Sequence, residues 1–288
     1  MQESAWIRCM TRRLLKCLLF SLGLLLLIGI CPIIGEADED ALNFYVTPIL
    51  PPSQVEGASS YFDLNLAPGT KETLSLQIYN AREEAIKVSI TPHTAHTNVH
   101  GVVEYATDAD VPDPTLTYTL DTMIKGAGDI VLEAKETKVV DLTLAMPAEA
   151  FAGFLAGGIR IAEIKDELAE TNEKETGISI QNEFAYIMGV VVSNSREPVQ
   201  AELTLGEVLA DQMNFHNVFS AAIHNTTPTF VNRLVIDAAI YQKGTTEILY
   251  QASQEQMQMA PNSHFYFPIP LNGDRFKAGE YELQLKAQ

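Results

Sequence analysis

From residue 44 onward the chain consists almost entirely of short segments in which apolar and polar side chains alternate, and that period of two confines it to β-sheet. The clearest case is residues 61–69, Tyr-Phe-Asp-Leu-Asn-Leu-Ala-Pro-Gly. Phe62, Leu64 and Leu66 fall on one face, Tyr61, Asp63 and Asn65 on the other. The Pro68-Gly69 turn then leads to a second alternation, in which Leu74, Leu76 and Ile78 share a face. Strands are also expected over 44–49, 86–90, 101–105, 131–132, 138–144 and 155–162, and again over 184–193, 201–208, 218–225, 232–242, 247–251, 264–271 and 281–286. Only 114–125 and 147–151 leave room for a helical turn or an irregular loop. Strands at this spacing, without intervening helices, describe an all-β chain folded as β-sandwiches.

Residues 1–37 read as an N-terminal export signal: Arg8, Arg12, Arg13 and Lys16 precede an apolar run over 17–34, and Gly35 and Ala37 suit cleavage after Ala37. The run approaches the length of a membrane span, so an uncleaved anchor stays open. A lipoprotein reading at Cys31 is disfavoured by the bulky Ile30 before it and Pro32 after it. All three cysteines, Cys9, Cys17 and Cys31, lie in this segment. The rest of the chain therefore cannot use disulfides, thiolate metal ligands or a cysteine nucleophile, and its stability must come from its cores. An exported β protein without cysteines suits the surface of a Gram-positive bacterium.

Beyond residue 37 the chain carries 15 bases against 35 acids. That balance repels nucleic acid at long range, and no basic stripe with interleaved aromatics reverses it, so nucleic acid is excluded as a partner. The remaining 251 residues suffice for two domains. The stretch 163–177, rich in acids and poor in apolar residues, is the seam, as a linker or a hairpin tip. The expected domains are 42–162 and 178–288.

No catalytic signature emerges. His93, His96 and His100 lie within eight residues, but in an extended segment the odd spacing of the first two sends them to opposite faces, and 97–101 reads as a turn. Neither metal nor cofactor is expected. There is no Gly-x-Ser-x-Gly elbow, and the adjacent Gly157 and Gly158 lie inside a strand, where close packing explains them better than a phosphate cradle. Surplus carboxylates alone do not make a glycosidase, so a secreted hydrolase is not favoured. The Asn225-Thr226-Thr227 acceptor pattern reads as an ordinary turn after a strand. Carbohydrate recognition would have to use tyrosines, because the one tryptophan, Trp6, is in the export segment; Tyr45, Tyr61, Tyr79, Tyr105 and Tyr118 all fall in the first domain.

Six phrases in order, over 48–54, 61–69, 97–105 (Thr-Asn-Val-His-Gly-Val-Val-Glu-Tyr), 151–159 (Phe-Ala-Gly-Phe-Leu-Ala-Gly-Gly-Ile), 182–186 and 259–265 (Met-Ala-Pro-Asn-Ser-His-Phe), make the chain resemble the WxL-interacting proteins of Gram-positive bacteria. The resemblance implies two tandem immunoglobulin-like sandwiches. The first would bind peptidoglycan, and the second WxL surface proteins or host extracellular-matrix proteins. The expected function is therefore a non-enzymatic adaptor at the cell surface or cell wall. The alternative is an assembly chaperone acting by β-strand addition, for which Arg82 and Lys87 are the nearest candidates to clamp a client's carboxylate. The family's usual C-terminal transmembrane helix has no counterpart before Gln288. Attachment through peptidoglycan, a partner or an uncleaved N-terminus, and a truncated chain, all stay open. For ligand binding, the residues chosen are the outward side chains of the opening phrase, Tyr61, Asp63 and Asn65.

Overall fold

The computed structural model describes residues 43–165 and 184–288. The expected export signal over 1–37 and most of the expected acidic seam over 163–177 lie outside the described residues.

Among the described residues, eleven strands come before the second sandwich: β1 (Phe44–Ile49), β2 (Phe62–Asn65), β3 (Lys71–Asn80), β4 (Ile86–Thr94), β5 (His96–Thr97), β6 (Val103–Glu104), β7 (Ile124–Lys125), β8 (Gly128–Leu132), β9 (Thr137–Ala145), β10 (Leu155–Glu163) and β11 (Ala185–Ser193). They form one sheet in the order β1-β3-β9-β7 and a second in the order β2-β11-β10-β4-β8, with β5 and β6 as a separate two-stranded ribbon. The alternation of the sequence sets which faces meet. Leu74, Leu76, Ile78, Leu142 and Leu144 from the first sheet pack against Phe62, Leu64, Val88, Ile90, Ile159, Ile161, Val190 and Val192 from the second, all fully or nearly fully buried. Each such side chain contributes about 1.5–3 kcal/mol of burial, so the core holds without disulfides. The Pro68-Gly69 turn forms as expected: Gly69 takes φ +72°, and the Thr70 N–H donates to the Ala67 carbonyl. Fully buried Asn80 closes the opposite end, its amide donating to the carbonyls of Glu84, Leu132 and Glu133.

The second sandwich comprises β12 (Leu203–Met213), β13 (His216–Asn225), β14 (Val231–Gln242), β15 (Ile248–Met259), β16 (Ser263–Pro270) and β17 (Tyr281–Ala287), in sheets ordered β12-β13-β16 and β15-β14-β17. Ile223, Leu234, Ile236, Ile240, Met257, Met259, Phe265, Phe267 and Ile269 fill its core. Here β12 and β15 run several residues beyond their expected ends. Most of β12 is exposed on both faces, and the inward side of β15 carries the polar Gln254 and the small Ala252, so the apolar period that marks a strand fades while the backbone pairing continues.

The largest departure from expectation concerns β11. It lies within 178–288, the range expected for the second domain, yet it pairs antiparallel with β10 and parallel with β2 in the five-stranded sheet of the first sandwich. Its near-continuous apolar run, Ala-Tyr-Ile-Met-Gly-Val-Val-Val-Ser, suits a strand flanked on both sides rather than one facing water. Because Ala162 pairs with Ala185, the acidic stretch joins two neighbouring antiparallel strands, and the passage between sandwiches falls at 194–202.

Candidate functional site

The three outward residues of the opening phrase do share one side of β2. Tyr61, 37% exposed, lies over Gly189 of β11, where a Cβ would come within 3.3 Å of the tyrosine's own Cβ. The Asp63 carboxylate is held by Arg196, whose guanidinium also sits 5.4 Å over the Phe154 ring. Asn65 accepts a hydrogen bond from the Ser193 hydroxyl at 3.3 Å. Two of the three polar ends are thus already committed to neighbours within the chain.

A second aromatic surface, whose pairing was not evident from sequence, lies on the outer face of the four-stranded sheet. Tyr45 of β1 stands opposite Tyr79 of β3, with ring centroids 6.3 Å apart and planes within 18°. Beside them on the same face are Thr47, Gln77 and the hydrogen-bonded pair Ser75 and Asp141, the last two 2.6 Å apart. Near-parallel rings bordered by amides, hydroxyls and a carboxylate form the kind of surface that stacks on sugar C–H groups while engaging hydroxyls. Knowing the strand register, not composition, is what would have paired these tyrosines.

The third feature is the joint between the sandwiches, and most of the later family-like phrases converge there. Residues of 97–105 pack on the second sandwich: the Gln258 N–H donates to the Gly101 carbonyl at 2.7 Å, and buried Thr97 and Ser263 exchange a 2.6 Å hydrogen bond. From 151–159, the Phe154 N–H donates to the Pro228 carbonyl at 2.7 Å. Ala95, Ala156 and Ala260 form a small buried contact with Tyr105, Val191 and Phe230 around it. Burial, followed by the nearby Tyr61 phenol, pushes the Tyr105 phenol above its ordinary value. Gly157 and Gly158 are explained by close packing: a Cβ on Gly157 would lie 2.1 Å from the His93 carbonyl oxygen, and one on Gly158 2.7 Å from that of Tyr105.

Next to this joint a cleft of about 280 Å³ is lined by Thr94, His96, Asp108, Asp113, Asp121 and His264, among others. Of the histidines close in sequence, His93 has its ring paired with Asp108 at 2.8 Å, and His100 lies in the turn. A different set does come together. Asp113, on the loop before the helical turn Leu120–Met123, buries its carboxylate completely. Its Oδ1 accepts from the Thr115 N–H and hydroxyl at 2.9 and 2.6 Å, and its Oδ2 lies 2.6 Å from His224 Nδ1 and 3.4 Å from His264 Nδ1. Burial works to raise the Asp113 carboxyl, but the hydrogen bonds from Thr115 and His224 outweigh it and hold the group below its ordinary value. The two imidazoles stack at 4.9 Å. Burial, and then the neighbouring His224, lower the pKa of His264. Ser263 does not complete a hydrolytic relay with them, since its buried hydroxyl is engaged by Thr97 and the Ala260 carbonyl.

Arg82 and Lys87, the candidates for a chaperone's carboxylate clamp, are each paired with an acid of the chain, Glu163 and Asp129 respectively, both at 2.9 Å. Among the described residues no helix is long and apolar enough to cross a membrane.

Two β-sandwiches that meet in a buried joint define a protein of the tandem β-sandwich class. The chain belongs to the WxL-interacting protein family: residues 44–163 match the model of that family's peptidoglycan binding domain, and residues 175–288 match its host binding domain. Both models describe binding domains rather than enzymes. The second match takes in β11, although that strand is built into the first sandwich. No curated protein matches the chain. Among solved structures, the class 5 fimbriae chaperone CfaA is 13% identical, with 85% of this chain and 99% of that one covered, at a TM-score of 0.32. The CsuC–CsuE chaperone–tip adhesion subunit complex of Acinetobacter baumannii is 12% identical over 85% of this chain and 97% of that one, at 0.37. The E. coli chaperone DraB is 12% identical over 80% and 88%, at 0.31.

Proposed function

We propose that the protein is a non-enzymatic cell-surface adaptor that holds peptidoglycan through its first sandwich and WxL or host matrix proteins through its second. The observation that carries this reading is the pair of family matches, peptidoglycan binding first and host binding second, along one chain. The outer face around Tyr45 and Tyr79 is the surface proposed for the glycan, because Tyr45, Thr47, Gln77 and Asp141 are exposed there beside the paired rings, whereas Asp63 and Asn65 are engaged by Arg196 and Ser193. In the second sandwich, β12 is an edge strand with Leu205, Val208 and Leu209 exposed, and Phe215 stands fully in solvent at the turn that follows. An unprotected edge with apolar side chains is suited to pairing with a protein partner's strand.

The test uses the whole chain, because a fragment ending at 162 would lose β11 from between β10 and β2 in the first sandwich. The protein is expected to co-sediment with purified peptidoglycan, and a secreted WxL-domain protein to be retained by the resulting complex. Sedimentation no greater than that of an unrelated acidic β-sandwich would overturn the first half of the proposal. Failure to retain the WxL protein and matrix proteins alike would overturn the second.

A further inference from the structure

We infer that Asp113, His224 and His264 form a transition-metal site, with Zn²⁺ the best-suited ion, that ties the two sandwiches together. Asp113 comes from a loop of the first sandwich, whereas His224 and His264 stand directly opposite each other on β13 and β16 of the second. One oxygen and two ring nitrogens, one from each residue, lie within 4.8 Å of one another. Tetrahedral zinc with bonds of about 2.0–2.1 Å needs ligand atoms about 3.3 Å apart. The observed separations of 2.6 and 3.4 Å from Asp113 Oδ2 to the two Nδ1 atoms bracket that value.

Two further observations point to a ligand. His264 Nδ1 is buried and has no hydrogen-bond partner, although it faces the Asp113 carboxylate. A buried polar atom left in that state costs about 1–3 kcal/mol, and a cation bound between the three groups removes the cost. The Asp113 carboxylate is also oriented as a ligand's outer shell would orient it: Thr115 takes Oδ1 with two hydrogen bonds and leaves Oδ2 directed at the imidazoles. On binding, each neutral ring carries its proton on Nε2 and offers Nδ1, and the metal replaces the proton shared between His224 and Asp113. Three protein ligands leave a fourth position for water or for a donor entering from the adjoining cleft.

An imidazole-and-carboxylate set without thiolate favours Zn²⁺, with Co²⁺ and Ni²⁺ as reporters, over Ca²⁺ or Mg²⁺, which require more oxygen ligands. The experiment titrates chelator-treated full-length protein with ZnCl₂ by calorimetry and follows Co²⁺ by its visible absorption. One equivalent of Zn²⁺ is expected to bind and raise Tm, and Co²⁺ to give the intense visible bands of a four-coordinate site that Zn²⁺ bleaches. Asp113→Asn and His264→Gln are expected to weaken binding by more than the roughly 10–100-fold typical of losing an outer-shell partner. His96→Gln, at the same cleft, and His93→Gln, whose ring is paired with the cleft residue Asp108, are expected to leave it unchanged. The inference is overturned if wild-type protein binds no saturable equivalent, if Co²⁺ shows only weak six-coordinate bands, or if the metal follows His93 or His96. The Co²⁺ spectrum of the wild type decides the matter even if a variant fails to fold.

Discussion

Thr97 Oγ1 lies 2.6 Å from Ser263 Oγ across the joint between the two sandwiches, and both residues are buried. The Ser263 hydroxyl donates to the Ala260 carbonyl at 2.9 Å, so its oxygen accepts from Thr97, while Thr97 in turn accepts the Ala260 N–H at 3.0 Å. Four buried polar groups are satisfied in one chain of three bonds. Thr97→Val keeps the shape but strands the Ala260 N–H and one Ser263 lone pair, with an expected loss of about 1–3 kcal/mol. Urea unfolding measures this; a change below a few tenths would mean that the joint opens to water.

Gly153 makes a second, purely steric demand on the joint. Its φ is +65°, and a Cβ there would lie 2.0 Å from the Pro228 carbonyl oxygen, the acceptor for Phe154 N–H. Gly153→Ala combines overpacking with left-handed strain and is expected to cost about 2–4 kcal/mol. Gly57 has φ +101° and open space around it, so Gly57→Ala incurs only the backbone component, about 1 kcal/mol. Equal losses in the two variants would show that the Pro228 contact yields freely.

The strands were legible because one buried face per sheet imposes a two-residue period: β1 has the expected bounds, and β9 and β10 differ by at most one residue at either end. The assignment of β11 was not legible. Its apolar run says that it is buried, but which neighbours bury it depends on the long-range pairings with β10 and β2. The same limit applies to Asp113, His224 and His264, which lie far apart in sequence and meet only through the joint. Histidines close in sequence, His93, His96 and His100, drew attention instead, and short spacing in extended chain carried no convergence. The phrases at 97–105, 151–159 and 259–265 carried the family resemblance, and the structure gives them a shared task, since their glycines and small polar groups form the joint.

Tyr105 gives that joint an alkaline signature. Burial and then Tyr61 raise its phenol above the ordinary value of 10.0, so the unfolded chain releases this proton at a lower pH than the native state does. The native advantage is fully present below about pH 10 and is lost as pH rises through the folded value. Tyr186, Tyr250 and Tyr266 are raised in the same sense, so the informative quantity is the difference between wild type and Tyr105→Phe. Denaturant midpoints are expected to fall less steeply in the variant between about pH 9.5 and 11, the range around the ordinary phenol value. Parallel curves would show that Tyr105 ionises as freely in the native state as in the unfolded chain.

The location of glycan binding separates two faces of the first sandwich. If Tyr45 and Tyr79 stack on sugar rings, each replacement by alanine removes an aromatic contact of about 0.5–1.5 kcal/mol, which is about a two- to tenfold loss in affinity for peptidoglycan. The double variant is expected to lose more than either single one, and unfolding curves should show little penalty, because Tyr45 is 44% exposed and both side chains lie outside the core. Tyr61→Ala on the other sheet serves as the comparison and is expected to bind as wild type. The reverse pattern, with binding lost in Tyr61→Ala and kept in the Tyr45 and Tyr79 variants, would move the glycan to the edge of β2, where Asp63 and Asn65 would have to release Arg196 and Ser193 to engage it.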